Sequence, residues 1–237
     1  MSASPPIVLV HGAWHGAWCF AGLQHALDEL GLPSYAIDLP GHGTSGEQFG
    51  TLHSDAAAVA AMLRRLGTPS VLVGHSYGGA VITEAATLHP EVAHLVYLTA
   101  FALDAGESII SLLTSLPRAD VVLGRAIRPN PDGTSSIDPE QAAEAFYEHC
   151  SPSTVRAALP RLGLHPMGTF TDSVTGSPRD HIASTYVRCT LDQSIHISHQ
   201  DAMSQRCTTV HTLHTDHSPF ASAPALTAGI LQGVVGS

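Results

Sequence analysis

The stretch Val71-Leu72-Val73-Gly74-His75-Ser76-Tyr77-Gly78-Gly79 constrains the fold more than any other part of the chain. A short β-branched apolar run ends in Gly-x-Ser-x-Gly, and an Ala-rich helical pattern starts at Ala80. A strand that passes so quickly into a helix needs a sharp, crowded bend at the serine. Gly74 and Gly78 carry no Cβ to clash in that bend. The bend lifts the Ser76 hydroxyl clear of the sheet, where a substrate carbonyl can reach it.

The rest of the chain supplies the layers such a bend requires. Strands are expected at Ile7–Val10, Ser34–Ile37, Val71–Val73, Leu95–Thr99, Thr185–Cys189 and Thr208–Leu213. Helical patterns run over Trp18–Leu30, Ser54–Leu66, Gly79–Leu88, Ser198–Ser204 and Ser222–Val235. This alternation predicts an α/β fold, a doubly wound and mainly parallel sheet with helices on both faces. Between Leu103 and Arg179 the alternation breaks, and eight prolines punctuate the segment. A structureless loop of that length does not fit inside a compact domain. Residues 103–179 are therefore expected to form an inserted, partly helical cap, with helices over Pro139–His149 and Pro152–Leu159. Residues 1–102 and 180–237 form the core.

Composition narrows the chemistry. The net charge is −10 and all 10 basic residues are arginine, so a nucleic-acid partner is not expected. Without lysine, Schiff-base chemistry has no carrier. Cys19, Cys150, Cys189 and Cys207 fit neither a zinc pattern nor a disulfide framework. The start, Met1-Ser-Ala-Ser-Pro-Pro6, lacks the basic and apolar regions of a leader, and no apolar run reaches membrane-spanning length. A cytoplasmic protein with no membrane partner is the expectation.

A serine hydroxyl needs an adjacent base. Sixteen histidines offer themselves, and position selects among them. Functional groups of a doubly wound sheet gather beyond the carboxyl ends of its strands. His217 lies just past the last strand pattern, in Thr215-Asp216-His217-Ser218-Pro219, and is the expected base. Asp192, after the strand ending at Cys189, completes the order Ser…Asp…His as the carboxylate that orients it. Asp104 is the alternative acid. The amide of Tyr77 and that of Ala13, in the first-strand loop, are the expected oxyanion donors. Trp14, Phe101, Phe146, Tyr147, Met167 and Phe170 are candidate pocket walls, with Trp14 the named substrate contact. The loop Asp38-Leu39-Pro40-Gly41-His42-Gly43 is read as scaffold. His211, His214 and His217 are spaced by three, which on a strand alternates faces, so no metal is expected.

Four segments together resemble the α/β-hydrolase superfamily: His11-Gly12-Ala13-Trp14-His15-Gly16-Ala17-Trp18, Gly74-His75-Ser76-Tyr77-Gly78-Gly79, Cys189-Thr190-Leu191-Asp192 and Asp216-His217. They are most like its branch of salicylate-binding-type methyl esterases and hydroxynitrile lyases. The resemblance implies the α/β-hydrolase fold, a Ser76–His217–Asp192 triad and an oxyanion hole at Ala13 and Tyr77. Lyases of the branch carry threonine after the first-loop histidine and lysine after the catalytic histidine; here stand Gly12 and Ser218. A cofactor-independent serine esterase acting on a small ester or lactone is the expected activity. The rival readings are a non-turning-over ligand receptor and a carbon–carbon lyase. Ser218 and Tyr77 also depart from the methionine and leucine usual in plant methyl esterases, and are expected to make the pocket edge more polar.

Overall fold

The computed structural model describes residues 4–89 and 91–236. The leaderless reading of the chain start rests in part on Met1–Ala3, which lie outside the described residues.

The apolar run Ile7–Val10 (β1) is buried on both faces, as expected of a strand covered by helices on each side. It pairs in parallel with Ser34–Ile37 (β2) on one side and with Ser70–Ser76 (β3) on the other. The chain thus starts in mid-sheet, steps outward to β2 through helix α1 (Ala21–Glu29), and returns across β1 through α2 (Leu52–Leu66). From β3 it proceeds through α3 (Gly78–Leu88) to Val92–Ala100 (β4). This reversal makes a topological switch between β1 and β3, the crevice where such sheets bind ligands.

The segment expected to form the cap then leaves the sheet. It carries α4 (Ile109–Ser115), α5 (Val122–Ala126), strands β5 (Ile127–Pro129) and β6 (Thr134–Ile137), α6 (Pro139–Phe146), α7 (Pro152–Ala158) and strand β7 (His165–Pro166). The sheet resumes with β8 (Ser184–Cys189), followed by α8 (Ile197–Ser204), β9 (Thr209–Leu213), α9 (Pro219–Ser222) and α10 (Pro224–Val235). The main sheet has order β2-β1-β3-β4-β8-β9, and all its pairings are parallel.

Three local features depart from the pattern reading. The first expected helix is a 3-10 turn, Ala17–Phe20, that leads into α1. The last is split at Ala223 (φ −141, ψ 50), because a residue before proline is pushed out of the helical region. The cap also contains a small antiparallel sheet, β5-β6-β7, that periodicity did not announce. Its strands are too short, and two contain proline.

Long-range polar contacts close the base of this segment and fasten it to the core. Arg179 donates to the Leu103 carbonyl at 2.8 Å, the Tyr97 hydroxyl at 2.9 Å and Asp104 at 2.5 Å. The Trp14 indole donates to the Ser135 carbonyl at 3.2 Å, and the Gly163 amide donates to the Trp14 carbonyl at 2.8 Å. Among the described residues no helix is long and apolar enough to cross a membrane.

Candidate active site

The site is assembled at the carboxyl edge of β1, β3, β8 and β9. Ser76 ends β3 with φ 53, a left-handed conformation that a side-chain-bearing residue holds only when its surroundings over-determine it. They do so here. A Cβ on Gly74 would lie 2.4 Å from the Gly78 carbonyl oxygen, and one on Gly78 would lie 2.5 Å from that of Val10. The Ser76 carbonyl accepts the Phe101 amide at 3.1 Å, which clamps the bend to the chain beyond β4. Ser76 retains 8% exposure and lines a cavity of about 190 Å³.

His217 is buried in the loop after β9 and donates from Nδ1 to Asp192 Oδ2 at 2.7 Å, leaving Nε2 as the nitrogen available for proton transfer. The residue beside the serine holds this loop in place. His75 Nε2 donates to the His217 carbonyl at 2.8 Å, and the two rings lie 4.5 Å apart. Asp192 is held by more donors than the histidine alone. Its Oδ1 accepts the Ser194 and Ile195 amides at 2.6 and 2.9 Å. Its Oδ2 also accepts the Thr99 hydroxyl and the Gln200 amide. Asp104 stands elsewhere: its carboxylate is 49% exposed and paired with Arg179 and Arg206. Asp216 turns away from the imidazole and accepts the His149 amide at 2.7 Å.

The loop after β1 passes close behind Ser76. A Cβ on Gly12 would lie 2.9 Å from the Ser76 Cβ, so only glycine lets the backbone through at that point. Ala13, Trp14 and Tyr77 line the cavity with Ser76. The loop is braced from three sides. His15 donates to the Ala13 carbonyl at 2.8 Å and accepts the Tyr147 hydroxyl at 2.8 Å. Asp38 accepts the Ala17 amide at 2.7 Å. The Asp38–Gly43 loop thus supports the first-strand loop, through Asp38 and through the Leu39 amide, which donates to His11 Nε2 at 3.1 Å.

Four of the six anticipated wall residues line the cavity: Trp14, Phe101, Met167 and Phe170. The other two do not. Phe146 packs on His217 with ring centroids 5.9 Å apart, and Tyr147 is turned to His15. The remaining wall is aliphatic and comes from the cap, through Ile109, Leu113, Val121, Leu123 and Ile127. The expected polar pocket edge is corrected by the geometry. The Tyr77 hydroxyl is spent on Asp55 at 2.6 Å, and Ser218 is fully buried outside the cavity lining. Ser194, the other lining hydroxyl, donates to the Ala145 carbonyl at 2.7 Å. Among the described residues no charged side chain lines the cavity.

Five further histidines are buried around the site. Burial, chiefly, lowers His11 from 6.5 to about 3 and His15 to about 4. It also lowers His42, and holds His75 and His165 well below the usual imidazole range. They are neutral in the fold, and His165 donates from Nδ1 to His42 Nε2 at 2.9 Å. Within this cluster His217 alone has a carboxylate on its ring. Among the described residues no group of three or more His, Cys, Asp or Glu is arranged to hold a metal.

This burial has a pH consequence. Below the unfolded histidine value of about 6.5 the unfolded chain binds protons that the fold refuses, so stability falls as pH falls. Each such group contributes a slope of roughly 1.4 kcal/mol per pH unit until its folded value is reached. Melting by circular dichroism is expected to show a plateau above about pH 7 and a steep loss between about pH 6.5 and 4.5. A melting temperature flat down to pH 5 would contradict the buried neutral state.

Known proteins share this arrangement of elements. The family model described as alpha/beta hydrolase family matches residues 7–230. A putative chloroplastic methylesterase 15 of Arabidopsis thaliana is 27% identical over 92% of this chain, which spans about half (53%) of that relative's length. A carbendazim hydrolyzing esterase of a Nocardioides species is 41% identical over 45% of this chain and 46% of its own. In solved structures, a pyrethroid hydrolase from Sphingobium faniae superposes with a TM-score of 0.85 at 24% identity, covering 99% of this chain and 98% of its own, a likeness of fold.

Proposed function

The chain belongs to the alpha/beta hydrolase family, and on that footing we propose that it is a cofactor-independent serine esterase for small esters or lactones with an uncharged, apolar acyl part. One observation carries the reading: a strained serine at a strand-to-helix bend shares the carboxyl edge of the sheet with a histidine bonded to a buried carboxylate. Two relatives bear esterase names, which agrees with it.

In this mechanism the ester carbonyl carbon sits over Ser76 with its acyl chain among the aliphatic cap residues, residues 103–179 serving as the lid of the pocket. His217 Nε2 takes the Ser76 proton as the oxygen attacks. Asp192 keeps the other nitrogen protonated and stabilises the imidazolium that forms. The oxyanion is met by the amides of Ala13 and Tyr77, the latter at the positive end of α3. His217 gives its proton to the leaving alcohol, then activates a water that releases the acid. The chain has no lysine to stand beside a departing cyanide, and among the described residues no arginine lines the cavity.

The cavity supports this choice of substrate. Its lining polar side chains other than Ser76 are engaged with protein partners, so a charged acyl group would enter without compensation. Incubation with a fluorophosphonate should place one adduct on Ser76. In a p-nitrophenyl ester panel, neutral aliphatic or aryl esters should exceed carboxylate-bearing acyl esters by about 100-fold in kcat/KM. Turnover that persists in protein carrying no label at Ser76 would sink the reading.

A further inference from the structure

Tyr77 follows the nucleophile, and its side chain has no part in the chemistry just described. It runs inward, 1% exposed, and its hydroxyl donates to Asp55 Oδ2 at 2.6 Å. Asp55 is an equally buried carboxyl in the first turn of α2, and its second oxygen has no hydrogen-bond partner. The Tyr77 ring meets the cap edge-on. It stands 4.7 Å from the His165 ring and 6.1 Å from that of Phe170. One side chain therefore joins the elbow, helix α2 and the cap.

Replacing both partners of a buried polar pair by apolar groups of the same shape is in general close to neutral for stability. Burial instead pushes the Asp55 carboxyl up to about 7, against the pull of the Tyr77 hydroxyl. A polar bond maintained under that penalty supplies direction, which packing alone does not. The direction it fixes is that of the Tyr77 backbone, held at φ −51 and ψ −36 next to a serine at φ 53. A strained bend relaxes unless its neighbours pin it.

Resting on the esterase reading above, we infer that Asp55 and the Tyr77 hydroxyl are positioning residues. Their hydrogen bond ties the oxyanion-donating amide to α2 and aims it at the developing charge. The bond touches neither substrate nor reacting atoms, and acts through the backbone of Tyr77.

Tyr77→Phe tests this, since it keeps the ring and removes the donor. With a neutral p-nitrophenyl ester, kcat should fall about tenfold to thirtyfold with KM within about twofold, a fraction of what loss of a whole oxyanion donor costs. Affinity for a trifluoromethyl ketone, which mimics the tetrahedral adduct, should fall by the same factor. Affinity for the product acid should hold. Asp55→Asn retains an acceptor and should stay within about threefold of wild type, whereas Asp55→Leu should match Tyr77→Phe. The double variant Tyr77→Phe/Asp55→Leu should be no slower than either single variant. A general loosening of the fold would move KM and melting temperature with kcat. Tyr77→Phe with wild-type kcat, in protein that a fluorophosphonate labels at Ser76, overturns the positioning role alone. Wild-type protein that takes no label overturns the esterase reading and this inference with it.

Discussion

Ser76→Ala is expected to lower kcat by about 10⁶-fold and leave the protein folded. The size follows from the division of labour at the site. In the proposed mechanism, removing the nucleophile makes the base and its carboxylate useless as well, because the three act on a single proton transfer. What remains is the oxyanion hole and the binding of substrate, which together hold a residual advantage over water of roughly 10³ to 10⁴. Stability should barely move. Alanine bears the same positive φ as serine does, and the Ser76 carbonyl keeps its bond to the Phe101 amide. A melting temperature within a few degrees of wild type, about 0.5 kcal/mol, would show that activity and fold have been separated. Active-site titration with a fluorophosphonate should give one equivalent for wild type and none for the variant. Retention of one per cent of kcat, with carry-over excluded by that titration, would remove Ser76 from the mechanism.

Gly74 was legible in the sequence because its reason is local. A Cβ there would meet the Gly78 carbonyl four residues on, whereas one on Gly78 would meet the carbonyls of Val10 and His11, far upstream in the chain and beyond any local reading. The strand and helix on either side of Ser76 are equally local, as are the strands that alternate with helices along the core. The chain order of Ser76, Asp192 and His217 follows from where strands end, which periodicity marks well.

What the sequence concealed depends on contacts across long stretches of chain. His15 is braced by Tyr147, 132 positions away, and Trp14 by Ser135, 121 positions away. The donors to Asp192 come from Thr99 on one side and Gln200 on the other, and neither carries a motif. Thr99 does carry a conformational mark, φ 40, yet a β-branched residue gives no hint in sequence that it adopts it. Tyr77 invited a reading as a polar pocket edge because its neighbour is the nucleophile. Its partner Asp55 sits 22 positions upstream in an amphipathic helix, where an acid would ordinarily face water. The cap walls were half legible for a related reason. Aromatic residues stand out among prolines, whereas Ile109, Leu113 and Val121 read as ordinary apolar filler until the cavity assembles them.

Asp192→Asn should cut kcat by about 10⁴-fold, second only to loss of the nucleophile. The carboxylate matters through the tautomer it imposes. The Asp192 oxygen accepts the proton of His217 Nδ1, which leaves Nε2 bare for the proton transfer proposed with Ser76. An asparagine can turn either its oxygen or its amide group toward the ring. The oxygen is demanded on both sides: Ser194 and Ile195 donate to one position, and Thr99, Gln200 and His217 donate to the other. Whichever position receives the amide faces donors with a donor, and the amide group placed toward His217 selects the wrong tautomer. Some loss of stability should accompany the change, about 1–3 kcal/mol, because buried donors are left unpaired. The matched control is Asp104→Asn, the other acid that the chain order allowed. It breaks half-exposed ion pairs with Arg179 and Arg206, for which a cost of at most about 1 kcal/mol is expected. Its kcat should stay within about threefold of wild type. Steady-state kinetics on the pair, with melting curves alongside, read both quantities. If the large loss of kcat appeared in Asp104→Asn and not in Asp192→Asn, the orienting carboxylate would have been assigned to the wrong strand. The bond between His217 and Asp192 would then be no more than part of the packing beneath the site.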